Sequence, residues 1–241
     1  MIPRLYFDLE TIPDQRPGAK EKFASTIQPP SNMTKAETIA AWEATKRPAA
    51  IEKAWLKTSL DGGRGKVATV SWAFGDDPVM GAFSEDWGSE DGERATIGSF
   101  FRSVDMWLDR NWSHGNSIRP QIIGHNIVGF DLRFLFQRCC VLGLRAPMWL
   151  PVNVKPWDID LVFDTMVAWA GHRDYVKMDA ICDALGIPKK GSEFEDPEDE
   201  IDGAGVWAAV ASGRIADVSR YCDGDVERTR LMHKRMVFET A

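Results

Sequence analysis

Close to its start the chain reads Arg4-Leu5-Tyr6-Phe7-Asp8-Leu9-Glu10, an apolar strand pattern into which two acids are set on alternate residues. Side chains alternate across a strand, so Asp8 and Glu10 are directed to the same side. Two carboxylates placed there are costly unless something neutralises them. A divalent cation is the natural neutraliser, because hard cations take carboxylate oxygens. Spacing alone is weak evidence, since Asp-x-Glu also occurs at Asp91/Glu93, Asp196/Glu198 and Asp225/Glu227. Only the first copy interrupts an apolar strand, where surface solvation gives no reason for it.

The pattern that follows is that of one α/β domain over residues 1–241. Arg4 to Leu9 predicts a strand ending in its acids. Val67 to Phe74 and Val79 to Phe83 predict a strand pair turning at Gly75-Asp76-Asp77-Pro78, so the first three strands form an antiparallel meander. Glu93 to Leu108 repeats apolar residues at helical spacing (Ile97, Phe100, Phe101, Val104, Leu108) and predicts a helix packed on a sheet. Pro120 to Gly124 predicts a strand, and Gly129 to Leu142 a helix terminated by Gly143. Ile159 to Phe163 reads as a last strand, and Met178–Leu185, Val206–Val210 and Val218–Met236 as helices.

Charge is unevenly distributed. The chain carries a net charge of −7, which by itself argues against a phosphate-backbone partner. Residues 14–66, however, hold ten Lys or Arg against six acids, a balance of +4 that leaves the remainder at −11. This basic insertion is expected to be helical: Thr34-x-x-Glu37 has the form of a capping box, and Pro48 suits the first turn of another helix. A separate basic surface beside gathered carboxylates suits an enzyme acting on a nucleic-acid strand, and a solvated helical face accounts for the same charges equally well. The acidic run Glu193 to Asp202 lacks the glycine-centred loop of an EF-hand and reads as a solvated loop. The four cysteines contain no Cys-x-x-Cys pair, so neither a zinc site nor a disulfide framework is indicated. No apolar stretch is long enough to span a membrane and Met1 to Asp8 lacks the segments of a signal peptide, so a cytoplasmic location is expected.

Two further elements carry chemistry. In Gly124-His125-Asn126-Ile127-Val128-Gly129-Phe130-Asp131, Asp131 begins a helix after a strand and a tight turn. Simple capping would also put an acid there, but Asn-x-x-x-Phe-Asp occurs once, and its amide and ring suit a sugar-phosphate and a base. His125 reads as a turn or core residue rather than a catalyst. In Tyr221-Cys222-Asp223-Gly224-Asp225 a phenol and a carboxylate four residues apart share a helix face. The same spacing at Tyr175/Asp179 is set aside because Asp179 opens a short helix whose packing face is Met178, Ile181 and Leu185.

With these three elements in order, the chain resembles the DEDD superfamily of 3′→5′ exonucleases, and most closely freestanding relatives of the proofreading domain of B-family DNA polymerases. The matching stretches are Phe7 to Thr11, Asn126 to Asp131 and Tyr221 to Asp225, with further likeness at Asp202-Gly203, Val206, Gly213-Arg214 and Val226. The position before Tyr221 is Arg220, so the chain goes with the tyrosine branch of the superfamily rather than the histidine branch.

The resemblance implies a ribonuclease-H-like α/β fold: a mixed sheet, antiparallel through its first three strands and then parallel, flanked by helices. It also implies two divalent cations, Mg²⁺ or Mn²⁺, held by Asp8, Glu10, Asp131 and Asp225. Asp8 would be shared between the ions, and Tyr221 would orient the attacking water. Thr11, Asn126 and Phe130 are expected on the substrate side, and Lys46, Arg47, Lys53 and Lys57 of the insertion on the strand's phosphates. The expected substrate is single-stranded nucleic acid, DNA rather than RNA, with a polymerase or repair partner acting in trans. An exoribonuclease uses the same chemistry and differs only in contacts to the 2′-hydroxyl. A non-catalytic accessory domain is disfavoured because every expected carboxylate is present, and a structural metal protein leaves the Tyr and Asn placement unexplained.

Overall fold

The first strand, β1 (Arg4–Ile12), is buried on both faces because its side chains alternate between two different packings. Leu5, Phe7 and Leu9 enter the main core, while Tyr6 joins Ala73, Ile123 and Val226 on the opposite face. Asp8 and Glu10 have the parity of Tyr6 and share its face. In this computed structural model, residues 2–111, 119–155, 157–194 and 201–239 are described.

Around β1 the sheet grows in the order β3-β2-β1-β4-β5, with β2 (Lys66–Phe74), β3 (Met80–Phe83), β4 (Gln121–Gly124) and β5 (Val162–Asp164). β1 pairs antiparallel with β2 and β2 with β3, whereas β4 pairs parallel with β1 and β5 parallel with β4. This is the expected change from antiparallel to parallel strands. β1 is longer than its sequence pattern suggests. It continues through the acids to Ile12 because β2 goes on pairing with it as far as Ile12↔Lys66, past a bulge between Glu10 and Thr11. On the other side β4 pairs only with Arg4 to Tyr6. Asp8 and Glu10 therefore lie inside the strand but beyond the carboxyl end of β4, where open α/β sheets form their crevices.

One face of the sheet carries a long helix, Glu90–Asn111, whose Ile97, Phe100, Phe101 and Val104 are buried. The helix Asp131–Leu142 follows β4 and ends at Gly143, whose φ of 65° is the left-handed value expected of a terminating glycine. Glu93 and Arg138 join these two helices by paired bonds of 2.7 Å, and Glu93 also accepts from the Val67 amide of β2. The opposite face is covered by the helix Ile215–Met236, with Met178–Leu185 and Val206–Ala211 packed beside it. The short helix Thr165–Ala170 was not legible in the sequence pattern.

The insertion is helical, at Ala19–Thr26, Ala36–Thr45 and Arg47–Leu56, with Pro48 in the first turn of the third. The capping box does not form. The second helix begins at Ala36, with Lys35 at its cap and no side-chain cap bond, so Thr34 lies outside it. Buried Trp55 anchors the insertion, donating to the Asp14 carbonyl at 2.8 Å and meeting Trp207 edge-on at 5.3 Å. All four cysteines are free. Among the described residues no helix is long and apolar enough to cross a membrane. Most of the acidic run, residues 195–200, lies outside the described residues.

Candidate active site

The α-helices of the described residues are, in chain order, α1 (Ala19–Thr26), α2 (Ala36–Thr45), α3 (Arg47–Leu56), α4 (Glu90–Asn111), α5 (Asp131–Leu142), α6 (Thr165–Ala170), α7 (Met178–Leu185), α8 (Val206–Ala211) and α9 (Ile215–Met236). β1, α5 and α9 meet at a cavity of about 590 Å³ lined by Asp8, Glu10, Asp131, Tyr221 and Asp225. Asp8, Glu10 and Asp225 each bring a ligand oxygen within 4.8 Å of the other two. The first two come from alternate residues of β1, and the third from the α9 helix crossing that face. Asp131 is the first residue of α5 and is buried. Asp223, two residues before Asp225, turns away and accepts from Ser71 at 2.6 Å.

Four acids in one partly buried place raise one another's proton affinity. Burial, then Asp225, pushes the Asp8 carboxyl up to about 7, against the pull of Lys190. Burial and Asp8 hold Glu10 and Asp131 well above the usual carboxylate range. Asp225 is raised less, because Lys190 and Arg228 oppose the effect of burial. The site is short of positive charge and its donors are all oxygens, which suits a hard divalent cation.

Two cations that the sequence reading passed over hold Asp225. Lys190 Nζ donates to the Tyr221 hydroxyl at 2.9 Å and makes a close ion pair with Asp225. Arg228 Nη1 donates to Asp225 at 3.1 Å, and Nη2 reaches the Lys189 carbonyl at 2.8 Å, so Arg228 also fixes the loop that carries Lys190. Arg228 stands three residues after Asp225 and was readable from helix spacing. Lys190 lies in an irregular segment and carried no periodic signal. Burial, then Asp225, lifts the Tyr221 phenol well above its ordinary range despite Lys190.

The turn before α5 is shaped by a carboxylate outside the expected set. Asp164, at the end of β5, accepts from the amides of Asn126 (2.9 Å), Val128 (3.1 Å), Met166 (3.0 Å) and Val167 (3.4 Å). Its oxygens are thus engaged in capping α6 and fixing the turn. Asn126 takes a left-handed φ of 59°, which asparagine tolerates better than most residues. A Cβ on Gly129 would lie 2.4 Å from Asn126 Oδ1, so any larger residue there would push the Asn126 amide from its place. Asn126, Phe130 and His125 all line the cavity. His125 is held between Thr165 Oγ1 (3.0 Å) and the Val176 carbonyl (3.3 Å), and burial depresses it to about 4, so it is neutral at physiological pH.

The remaining expected contacts lie elsewhere. Thr11 has the opposite parity to Glu10, and its hydroxyl donates to the Ser59 carbonyl at 2.7 Å rather than facing the cavity. None of Lys46, Arg47, Lys53 and Lys57 lines the cavity. Arg47 is engaged within the insertion, donating to the Ala24 carbonyl at 2.6 Å, while the three lysines are exposed. The insertion packs against Trp207 of α8 through Trp55 and against β1 through Lys57–Leu60. Of the rival pair, Tyr175 and Asp179 both line the cavity, but Tyr175 precedes α7 and shares no helix face with Asp179.

Strand order, covering helices and carboxylate cavity together define a ribonuclease-H-like α/β domain. The chain is similar in fold to the family B DNA polymerase from the hyperthermophilic archaeon Pyrobaculum calidifontis, with a TM-score of 0.57 and 18% identity over 99% of this chain and 25% of that one. It is 25% identical over 146 residues to the candidate DNA polymerase 060R of Frog virus 3 (isolate Goorha), covering 51% of this chain and 14% of the viral protein. The chain thus spans a quarter or less of either relative. Residues 88–241 match the family described as predicted 3′→5′ exonucleases related to the exonuclease domain of PolB, and the chain belongs to that family. Asp131, Tyr221 and Asp225 fall inside the matched region, and Asp8 and Glu10 precede it.

Proposed function

We propose that the chain is a metal-dependent 3′→5′ exonuclease that shortens single-stranded DNA and releases nucleoside 5′-monophosphates. The observation that carries this reading is the convergence of Asp8, Glu10 and Asp225 within 4.8 Å in a cavity they share with Asp131 and Tyr221. Asp8, Glu10 and Asp225 would hold one Mg²⁺ or Mn²⁺, and Asp8 with Asp131 a second. When bound, such ions supply a more acidic water and offset charge on the scissile phosphate. The water oxygen adds to phosphorus as its proton passes to solvent, and the bond from phosphorus to the 3′ oxygen breaks as that oxygen takes up a proton from solvent, leaving a 3′-hydroxyl on the shortened strand.

Tyr221 stays protonated at neutral pH because its phenol is raised, so it positions the water and does not remove its proton. Lys190 donates to the phenol oxygen, which leaves the phenol's own proton for a hydrogen bond in the cavity. Asn126 and Phe130 line the same cavity and would meet the terminal sugar and base. DNA is favoured over RNA because both relatives are named as DNA polymerases, and a polymerase or repair enzyme acting in trans is the fitting partner. The test is a gel assay of end-labelled single-stranded DNA and RNA of matched sequence, with Mg²⁺, with Mn²⁺ and with chelator. Stepwise 3′ shortening of DNA with either metal and none with chelator is expected. Cleavage undiminished by chelator would overturn the metal assignment, and preference for RNA would overturn the substrate.

A further inference from the structure

Beside the carboxylate cavity lies a set of rings that the chemistry above does not use. Tyr175 lines the cavity although 72% of it is exposed. Three residues earlier in the same loop, the His172 ring meets Trp157 at 6.4 Å and 82°, and Trp157 is itself 67% exposed. The Lys155 ammonium lies 6.0 Å from the Trp157 ring, and Lys177 lines the cavity beside Tyr175. The loop is fixed at its cavity end by the bond between His125 and the Val176 carbonyl. None of the three rings belongs to a core cluster of the described residues.

A single exposed tryptophan needs no explanation. Successive exposed rings leading out of a nucleic-acid cavity, with cations beside them, are how single strands are held without regard to sequence. Building on the nuclease reading, we propose that Tyr175, His172 and Trp157 form a stacking track for the nucleotides on the 5′ side of the scissile end. The 3′ nucleotide sits among the carboxylates, and the strand leaves over Tyr175 towards Trp157. Around the track Lys155, Arg173 and Lys177 are balanced by Asp158, Asp160 and Asp174. Ring contact rather than bulk charge therefore supplies the grip, and its contribution should survive added salt.

The experiment compares oligothymidylates of two and sixteen nucleotides on the full chain and its Trp157→Ala and Trp157→Phe variants. Fluorescence anisotropy of a labelled 16-mer in chelator serves as a readout free of catalysis. Loss of one stacked base corresponds to about tenfold. Trp157→Ala should shrink the KM advantage of the 16-mer over the dinucleotide, and weaken 16-mer binding in chelator, each by about that factor at low and high salt. Trp157→Phe should restore most of both.

A dinucleotide that is cleaved, with an unaltered length dependence in Trp157→Ala, would overturn the track and leave the nuclease reading standing. Weakened 16-mer binding in a protein that cleaves neither oligonucleotide would do the reverse. Loss of self-association in Trp157→Ala by sedimentation, with oligonucleotide binding intact, would show the rings to be an interface between copies and would also overturn the proposal.

Discussion

Replacing Asp8 by Asn should stabilise the metal-free protein while abolishing its activity. The Asp8 carboxyl is raised from 3.8 to about 7, with burial as the main cause and Asp225 as the second. A group raised on folding contributes stability that is fully present below its unfolded value and is lost as pH rises through the folded one. At pH 8, above both values, this rise corresponds to about 4 kcal/mol of unfavourable charge burial. Coupling to Asp225 means that some of this persists in the variant, so a gain of about 2–4 kcal/mol is expected. At pH 5 the native carboxyl is largely protonated, and the advantage of Asn should shrink to about 1–2 kcal/mol.

The assay is urea unfolding followed by tryptophan fluorescence in chelator at both pH values. Saturating Mg²⁺ should then stabilise the wild type, by about 2.7 kcal/mol at a hundred times its dissociation constant, and the variant much less. An Asp8→Asn protein no more stable than wild type at pH 8 in chelator would refute the account of the site as a charge-strained cation cradle.

Tyr221→Phe should lower kcat strongly with little change in oligonucleotide binding, whereas Tyr175→Phe should do little to either because it keeps the exposed ring; steady-state kinetics on both decide between the rival tyrosines. Arg228→Met removes a buried cation from Asp225 and Glu193 and should cost about 3–5 kcal/mol in urea unfolding; a loss below about 1 kcal/mol would show those contacts to be unimportant. His233, bonded to Tyr6 at 2.9 Å, is depressed by burial from 6.5 to about 4. Its contribution, about 3 kcal/mol at full value, is present above pH 6.5 and lost as pH falls through 4. His233→Gln should therefore be less sensitive to acid over that window by chemical denaturation.

Those parts of the fold that rest on strong local period were legible in the sequence. α4, α5 and α9 show an apolar repeat that helical packing demands, and the meander is marked by the turn at Gly75 to Pro78. What escaped was set by partners distant in sequence. β1 runs on to Ile12 because β2 pairs with it there, although Asp8 and Glu10 argue locally for an end. α6 is nucleated by Asp164, whose preference for backbone amides cannot be told in sequence from the catalytic use of a carboxylate. The capping box at Thr34 failed for the converse reason: a motif can be locally sound and still lie outside the helix that tertiary packing selects.

The same distinction separates the two halves of the site. Carboxylates that share a cation must converge on one point, and strand parity, a helix start and an i,i+4 pair are local geometries that bring about such convergence. Strand-binding residues are under no such constraint, since a flexible polymer can be met wherever a loop carries a ring or a cation. Net charge accordingly singled out the insertion, where the lysines are abundant, whereas the exposed rings are Trp157 and, in the irregular segment at 171–177, His172 and Tyr175, the last of which lines the cavity. If those rings do hold the strand, Lys46→Ala, Lys53→Ala and Lys57→Ala combined should reduce the salt slope of 16-mer binding by less than the roughly two units that three lost contacts to single-strand phosphates would give. A loss of about the full two units in anisotropy titrations would return the strand to the insertion and overturn the ring track.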